Sequence, residues 1–356
     1  MMDHLKMIEE LCNAHGAPGF EDEVVALGRK YGEELANISE DCLRNLYFNR
    51  KGNTGKKPVV MLDAHSDEVA FIVSGIKDNG TIKFTPLGGW VSNNIPAHTV
   101  RILNADGQWI YGIVAAKPSH FVSAAEKNQA PNINDMVIDV GACSKKEVEE
   151  DYKIRFAAPI VPDVTFAYDE KKGLMTAKAF DDRIGCAAVL AAMEALKGEE
   201  LKVDVVGTWT AQEELSGRGM KVAVNKAKPD IAIILEGSPA DDSFVPVSEQ
   251  QCAMRKGPML RHMDGGMLTN PRFQRFTLDL AKKYGIPVQE GLRTAGTTNA
   301  TYVYTTGEGI PAIVIGIPVR YSHSHYGFCA VEDYEAGVRL ATEIIKALDE
   351  ETIAGF

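Results

Sequence analysis

The sequence has no long apolar run, no closely paired cysteines and no excess of basic residues. No stretch of about 18 apolar residues occurs, so no membrane-spanning helix is expected. The amphipathic first residues include early acidic side chains and lack the uninterrupted apolar segment of a signal peptide. The net charge of -11, from 38 basic and 49 acidic residues, argues against nucleic acid and anionic membranes as main partners.

Cysteine is scarce, and its placement indicates the compartment. The six cysteines are scattered without a C-x-x-C pair, so neither a disulfide framework nor a Cys-rich structural zinc site is expected. A reducing, cytoplasmic environment fits this usage best. The 356 residues have an ordinary globular composition, and their number predicts two domains or one domain with a large insertion.

Apolar runs that fit strands alternate with amphipathic segments over residues 1–68 and 163–356. This alternation predicts an α/β fold with a mostly parallel sheet covered by helices on both faces. Strands are predicted at 41–48, 58–68, 174–180, 202–210, 230–235 and 311–315. Helices are predicted at 3–14, 21–36, 184–196, 220–226, 271–284 and 331–348. Glu21, Asp22 and Glu23 suit the positive end of the second helix.

Residues 69–162 have a different sequence pattern. Short β-like runs are separated by Gly, Asn, Asp and Pro, and only residues 145–152 have a helical pattern. The runs lie at 70–73, 81–85, 99–103, 109–115 and 136–140. This segment is therefore predicted to be a small all-β module inserted into the α/β domain.

Charged residues follow several predicted strands. The buried run at 202–210 leads into Glu213 and Glu214, and the run at 58–68 ends with His65 and Asp67. Parallel strands point their carboxyl ends to one edge of the sheet, where open α/β folds build active sites. Five strand ends or following loops carry candidate ligands: His65, Asp181, Glu213 with Glu214, Glu236, and His323.

Two histidines and several carboxylates, with no cysteine among them, form a ligand set that suits Zn, Co or Mn. An isolated pair of glutamates usually lies in a solvated loop, and a lone histidine usually has a structural role. Asp181 also precedes an Ala-rich helix, where an aspartate can cap the first turn. The coincidence at five strand ends favours a metal site, and a carboxylate left over after ligation could act as a base.

Five motifs carry a resemblance to a known family: D-A-H-S-D-E, K-A-F-D-D-R-I-G, Q-E-E-L-S-G-R-G, L-E-G-S-P-A-D-D and V-R-Y-S-H-S. They resemble the metal-site blocks of the glutamyl aminopeptidase family, which includes the tetrahedral (TET) and deblocking aminopeptidases, and the similarity covers nearly the whole chain. The resemblance implies a metal-dependent aminopeptidase that acts on short peptides with two divalent metal ions per chain. It also implies that residues 69–162 are a dimerisation domain and that dimers assemble into a tetrahedral dodecamer.

The resemblance implies a role for each matching position. His65 and Glu236 would bind one metal ion, and Glu214 and His323 would bind the other. Asp181 would bridge the two ions. Asp67 would orient His65, and Glu213 would be the general acid/base.

Three positions depart from the family pattern. Glu236 stands where many relatives have Asp, which lengthens the reach but keeps the chemistry. Asn299 stands where many relatives have Asp, which puts a secondary contact of the site in doubt. The sequence S-H-S-H-Y-G adds His325, for which a surface loop position is favoured over a role at the site. An enzyme specific for acidic residues would need a basic residue in its first side-chain pocket. Nothing in the sequence chooses among four candidates for this position, Arg183, Arg218, Arg293 and Arg320.

Two other classes of function remain as alternatives. A glycosidase would use Glu213 and a second carboxyl roughly 5 to 10 Å away, without a metal. It would leave both histidines unexplained, and three tryptophans are few for sugar-binding platforms. A non-catalytic assembly protein with a degenerate site is the other alternative, although all seven expected site residues are present. Chelation separates the metallopeptidase from the glycosidase, because it should abolish peptidase activity and leave a glycosidase intact. Purified protein that binds no metal and cleaves no aminoacyl-anilide would indicate the assembly protein.

Overall fold

The computed structural model describes residues 2–123 and 131–356. Its helices are α1 His4–Asn13, α2 Asp22–Gly32, α3 Lys145–Glu150, α4 Phe180–Ala195, α5 Arg218–Ala227, α6 Pro271–Tyr284, α7 Ala300–Val303, α8 Val331–Ala347 and α9 Glu350–Ala354. Its strands are β1 Ala36–Glu40, β2 Leu46–Arg50, β3 Val59–His65, β4 Ala70–Ile76, β5 Ile82–Leu87, β6 Thr99–Leu103, β7 Trp109–Ala115, β8 Val137–Asp139, β9 Pro159–Pro162, β10 Ala167–Asp169, β11 Leu174–Ala177, β12 Asp204–Thr210, β13 Ile231–Pro239, β14 Met259–Met263, β15 Gln289–Leu292, β16 Ala312–Val319 and β17 Gly327–Ala330.

The main sheet has eight strands in the order β1-β2-β12-β3-β13-β16-β14-β15. Its centre, β12-β3-β13-β16, is parallel throughout. The pairs β1-β2, β2-β12 and β16-β14 are antiparallel, so the whole sheet is mixed. The parallel centre places the carboxyl ends of four strands at one edge.

Helices cover both faces of this sheet. Alternate side chains of a strand point to opposite faces, and on β3 Val60 and Leu62 join a core that includes residues of α1, α4 and α8. Met61 points to the other face, where it joins a separate core with residues of α5 and α7. Both faces of β3 are therefore buried, as the apolar run at 59–62 predicts.

Strands β4 to β9 form a small closed barrel in the order β4-β5-β8-β7-β6-β9. The barrel strands lie between Ala70 and Pro162, within the predicted β-rich segment. The barrel has its own apolar core, which includes Phe71, Ile82 and Ile138. The segment predicted to be rich in short strands therefore contains a small closed barrel, together with the helix α3.

Several predicted elements differ from the structure. The predicted strand 41–48 begins too early, because Asp41 accepts hydrogen bonds from Leu43 N and Asn45 N in a turn, and β2 begins only at Leu46. The second helix ends at Gly32, before the predicted residue 36. Six short strands are absent from the prediction: β1, β9, β10, β14, β15 and β17. A helix with the length and apolar composition needed to span a bilayer does not occur in the described part of the chain.

Candidate active site

Four of the five ligand-bearing segments reach the site from the parallel centre of the sheet. His65 is the last residue of β3, while Glu213 and Glu214 lie in a short 3-10 turn after β12. Glu236 lies within β13, and His323 is in the loop after β16. Contrary to the prediction, Asp181 does not follow a strand of the main sheet, because the preceding strand, β11, belongs to a separate three-stranded sheet with β10 and β17. Asp181 lies at the start of α4, with non-helical backbone angles.

Asp181 stands between the two histidines. Its Oδ1 is 3.1 Å from His65 Nε2 and its Oδ2 is 3.2 Å from His323 Nε2. Ser322 Oγ donates a hydrogen bond of 2.7 Å to Asp181 Oδ2, and Glu214 Oε1 lies 3.6 Å from His323 Nε2. One carboxylate thus contacts both imidazoles, each through a different oxygen.

These residues fit a metal centre. Donor atoms bound to one tetrahedral zinc ion, with bonds of roughly 2.0–2.1 Å, lie about 3.3 Å apart. The two contacts of Asp181 with imidazole nitrogens have nearly this length. Glu214 Oε1 and Glu236 Oε2 are buried without a hydrogen-bond partner in the described part of the chain. Such unsatisfied oxygens are uncommon, and they are the donors that a divalent cation requires.

The concentration of buried carboxylates leads to the same interpretation. Burial raises the pKa of Glu213 to about 8 and that of Glu214 to about 7, and it raises the pKa of Glu236 well above its usual range. Burial lowers the pKa of His323, but the carboxylates of Glu214 and Asp181 outweigh it and raise the pKa to about 10. The site lacks enough positive charge of its own, and a divalent cation would supply it.

Asp67 connects the two strands that carry most of the site. It is fully buried, and its Oδ1 and Oδ2 accept hydrogen bonds from the backbone N–H groups of Glu213 and Glu214, at 2.9 and 3.1 Å. Asp67 Oδ1 also lies 3.3 Å from His65 Nδ1. A single carboxylate therefore holds the backbone of the two glutamates and lies beside the imidazole.

Asp182 is satisfied by the backbone. Its carboxylate accepts hydrogen bonds from the N–H groups of His65, Gly185 and Gly237, at 3.1, 3.0 and 2.9 Å. Its position near His65 and Glu236 would allow it to join a metal ligand set. Because both oxygens already accept hydrogen bonds, we assign Asp182 to holding strand ends together. It also takes the capping role that the sequence offered to Asp181.

Glu21 was missed as a residue of this region. The sequence placed it at the N-terminus of the second helix, but its side chain does not cap that helix. Its Oε1 accepts hydrogen bonds from Gly19 N and Gln212 N, next to the glutamate pair. Burial and the charge of Asp67 raise the pKa of Glu21 to about 8. No local pattern connects two segments that lie so far apart in the chain.

A cavity of about 460 Å³ opens at the site. It is lined by Gly89, Asp181, Glu213, Glu214, Ser216, Glu236, Pro239, Arg261, Arg293, Ala295, Gly296, Thr297, Ser322 and His323. Of the four arginines considered from the sequence, only Arg293 belongs to this lining. Arg183 is buried and donates to Ser66 O, while Arg320 pairs with Asp242. Arg261 also lines the cavity and was not singled out from the sequence.

Two departures from the family pattern have structural partners. Asn299 Nδ2 donates to Asp63 Oδ2 at 2.8 Å and to Thr210 Oγ1 at 2.7 Å, which anchors the end of a cavity-lining loop to the sheet. His325 is only 1% exposed, so its predicted position at the surface is wrong. Its ring packs against residues of the barrel.

Comparison with known proteins agrees with this geometry. A sequence model of the family described as M42 glutamyl aminopeptidase matches residues 44–340. The chain belongs to this family. The resemblance noted from the motifs is thereby confirmed, and the protein is a metal-dependent aminopeptidase, a hydrolase of peptide bonds.

Individual relatives cover almost the whole chain. The glutamyl aminopeptidase of Lactococcus lactis is 28% identical over 99% of each chain. The crystal structure of a TET aminopeptidase from a marine sediment archaeon, Thaumarchaeota archaeon SCGC AB-539-E09, is 36% identical, with a TM-score of 0.95 over 99% of each chain. The TET1 peptidase of Pyrococcus horikoshii, which can assemble into a tetrahedron or a large octahedral shell, has the same fold. Its TM-score is 0.86 at 23% identity, over 97% of this chain and 100% of that one.

Proposed function

We propose that this M42 aminopeptidase works with two divalent metal ions, of Zn, Co or Mn. His65 and Glu236 would hold one ion, Glu214 and His323 the other, and Asp181 would bridge them. The observation that supports this proposal is the placement of Asp181, with one oxygen near each imidazole at 3.1 and 3.2 Å. The unsatisfied oxygens of Glu214 and Glu236 support it as well.

Glu213 is proposed as the general acid/base. Divalent ions supply a water of lowered pKa and polarise the scissile carbonyl. Glu213 lines the cavity, and its Oε2 lies 4.0 Å from His65 Nε2, so it is adjacent to the ligands. It would take a proton from the attacking water and return it to the leaving amine. Asp67 would keep His65 oriented and hold the backbone of Glu213 in place through its hydrogen bond.

The substrates are proposed to be short peptides whose free N-terminus enters the cavity. The carboxylates at the ligand side suit the α-ammonium group, which explains removal of one residue at a time. Arg261 and Arg293 line the same cavity. Guanidinium groups bind carboxylates by charge-assisted hydrogen bonds. We therefore propose a preference for an acidic first residue.

The domain division and the assembly are also proposals. Residues 1–68 and 163–356 would form the catalytic domain, and residues 69–162 would form the dimerisation domain. The outer face of β7 exposes Tyr111 and Ile113, which are 47% and 43% exposed. Apolar side chains together on a strand surface suit a contact with a second copy. Dimers would then assemble into a tetrahedral dodecamer, as the name of the TET relatives suggests.

A comparison of two neighbouring glutamates tests the catalytic proposal. The protein is stripped with a chelator, reloaded with Zn, Co or Mn, and assayed on a panel of aminoacyl-anilides. Glu213→Gln should keep its metal but lose at least roughly hundredfold in turnover, the usual loss for acid/base catalysis. Glu214→Gln should instead lose metal. Near-normal turnover in Glu213→Gln would remove that residue from its role, and glycoside hydrolysis that resists chelation would favour the glycosidase.

A further inference from the structure

His325 occupies an unusual position for a histidine. It lies two residues beyond His323 and is 1% exposed. Neither ring nitrogen has a hydrogen-bond partner within residues 2–123 and 131–356. Burying polar atoms without partners is unfavourable. Packing of the ring must therefore offset the free-energy cost of burying its two nitrogen atoms.

The packing of His325 is aromatic and crosses from one part of the fold to another. Its ring centroid is 4.1 Å from that of His98, with the planes at 22°, and 5.2 Å from that of Trp90. Trp90 stacks in turn on Phe71 of the barrel core at 4.6 Å. Its Nε1 donates to Ala70 O at 3.1 Å, which fixes the indole. A row of rings thus extends from the barrel into the loop after β16.

The same barrel segment touches the proposed metal ligands. His323 Nδ1 donates to Gly89 O at 2.7 Å, which directs Nε2 toward Asp181 and Glu214. A Cβ at Gly89 would lie 3.3 Å from His323 Nδ1, and one at Gly88 would lie 3.0 Å from Glu214 Oε2. The backbone before Trp90 therefore fits closely against two of the ligands.

The loop that carries His323 needs an external anchor. Tyr321 and His323 have positive φ angles of 63° and 60°. Such a backbone is uncommon for side chains of this size and persists only where surrounding contacts hold it. His325 provides such a contact on the C-terminal side of His323.

We propose that His325 is a positioning residue for the metal centre. By stacking on His98 and packing at an angle against Trp90, it ties the loop after β16 to the barrel and holds His323 Nε2 at the site. Its role depends on the shape of the ring and not on its nitrogen atoms. This inference rests on the proposed metal-binding role of His323.

Two substitutions at the same position test the proposal. His325→Phe keeps an aromatic ring and removes the nitrogens, while His325→Ala removes the ring. Zinc binding to the chelator-stripped full chain is measured by calorimetry and by competition with a chromophoric chelator. His325→Ala should weaken one zinc site by about 10–100-fold, the usual effect of losing support for a metal ligand. His325→Phe should bind zinc like the wild type.

A matched pair of tryptophans provides the control. Trp90 and Trp109 each pack against a histidine, but the partner of Trp109 is His15, and neither of these two residues lines the cavity. Trp90→Leu should weaken zinc binding as His325→Ala does, and Trp109→Leu should leave it unchanged. If His325→Ala does not fold, His98→Leu removes the partner from the barrel side and gives the same test.

Three outcomes would overturn the inference: wild-type zinc affinity in His325→Ala, weakened affinity in His325→Phe, or equal effects of the two tryptophan changes. The proposed function fails separately. If His323→Ala binds as much zinc as the wild type, the ligand assignment is wrong. If His323→Ala loses zinc while His325→Ala does not, only the positioning role is wrong.

Discussion

Neighbouring aspartates at the start of α4 should respond in opposite ways to the same substitution. Asp182 accepts three backbone hydrogen bonds, from His65, Gly185 and Gly237. Asparagine has one acceptor oxygen, so its amide group would face at least one of these buried N–H groups. An unsatisfied buried donor costs about 1–3 kcal/mol. We expect Asp182→Asn to lower the free energy of unfolding by about this amount, with or without metal.

Asp181→Asn should leave stability intact and remove metal. Asp181 contacts the side chains of His65, Ser322 and His323, and no backbone hydrogen bond to its carboxylate is present in the described residues. Burial raises the pKa of Asp181, but the imidazoles of His323 and His65 outweigh it and lower the pKa, so the substitution loses these favourable contacts in the metal-free protein. It also removes the repulsion between Asp181 and the buried carboxylate of Glu236, which opposes that loss. An amide cannot offer an anionic oxygen to each of two cations. The variant should therefore lose at least one metal ion and nearly all activity.

Thermal unfolding in chelator and metal analysis by mass spectrometry distinguish these expectations. The predicted pattern is a lowered Tm for Asp182→Asn only, and a reduced metal content that is more severe for Asp181→Asn. Two metal ions per chain and retained activity in Asp181→Asn would refute the bridging role. A wild-type Tm in Asp182→Asn would show that its backbone hydrogen bonds contribute little.

Three further predictions concern pH, assembly and selectivity. The pKa of Glu21 is about 8 in the folded protein against an ordinary value of 4.5. Between these two pH values the folded state holds a proton that the unfolded chain has released. The free energy of unfolding should therefore fall as pH rises through this window. Glu21→Gln should reduce this slope in chemical denaturation of the metal-free protein. Ile113→Glu should reduce the oligomer size measured by light scattering, whereas Val222→Glu, at an exposed position of α5, should not. Arg293→Ala should lower kcat/KM for a glutamyl-anilide by about 10–100-fold, the loss of a hydrogen bond to a charged group, and change that for a leucyl-anilide much less.

The sequence determined the class of fold and most of the proposed ligands. Buried strands such as β3 and β12 are recognisable because both of their faces are buried, so adjacent apolar residues replace the alternation of apolar and polar residues. Residues at or just beyond the ends of such strands lie at one edge of a parallel sheet, and the structure places His65, Glu214 and His323 at that edge. These inferences succeed because they depend on residues that are close in the chain and on a general property of parallel strands.

Only the tertiary structure decided which role each of two adjacent residues takes. Asp181 and Asp182 are adjacent and identical in type, yet one faces the two imidazoles and the other faces three backbone N–H groups. Glu21 meets Gln212 across 191 positions of the chain. His325, which the sequence placed on the surface, is buried against the barrel. Periodicity indicates which face of an element is buried, but it carries no information about the partner that arrives from a distant segment.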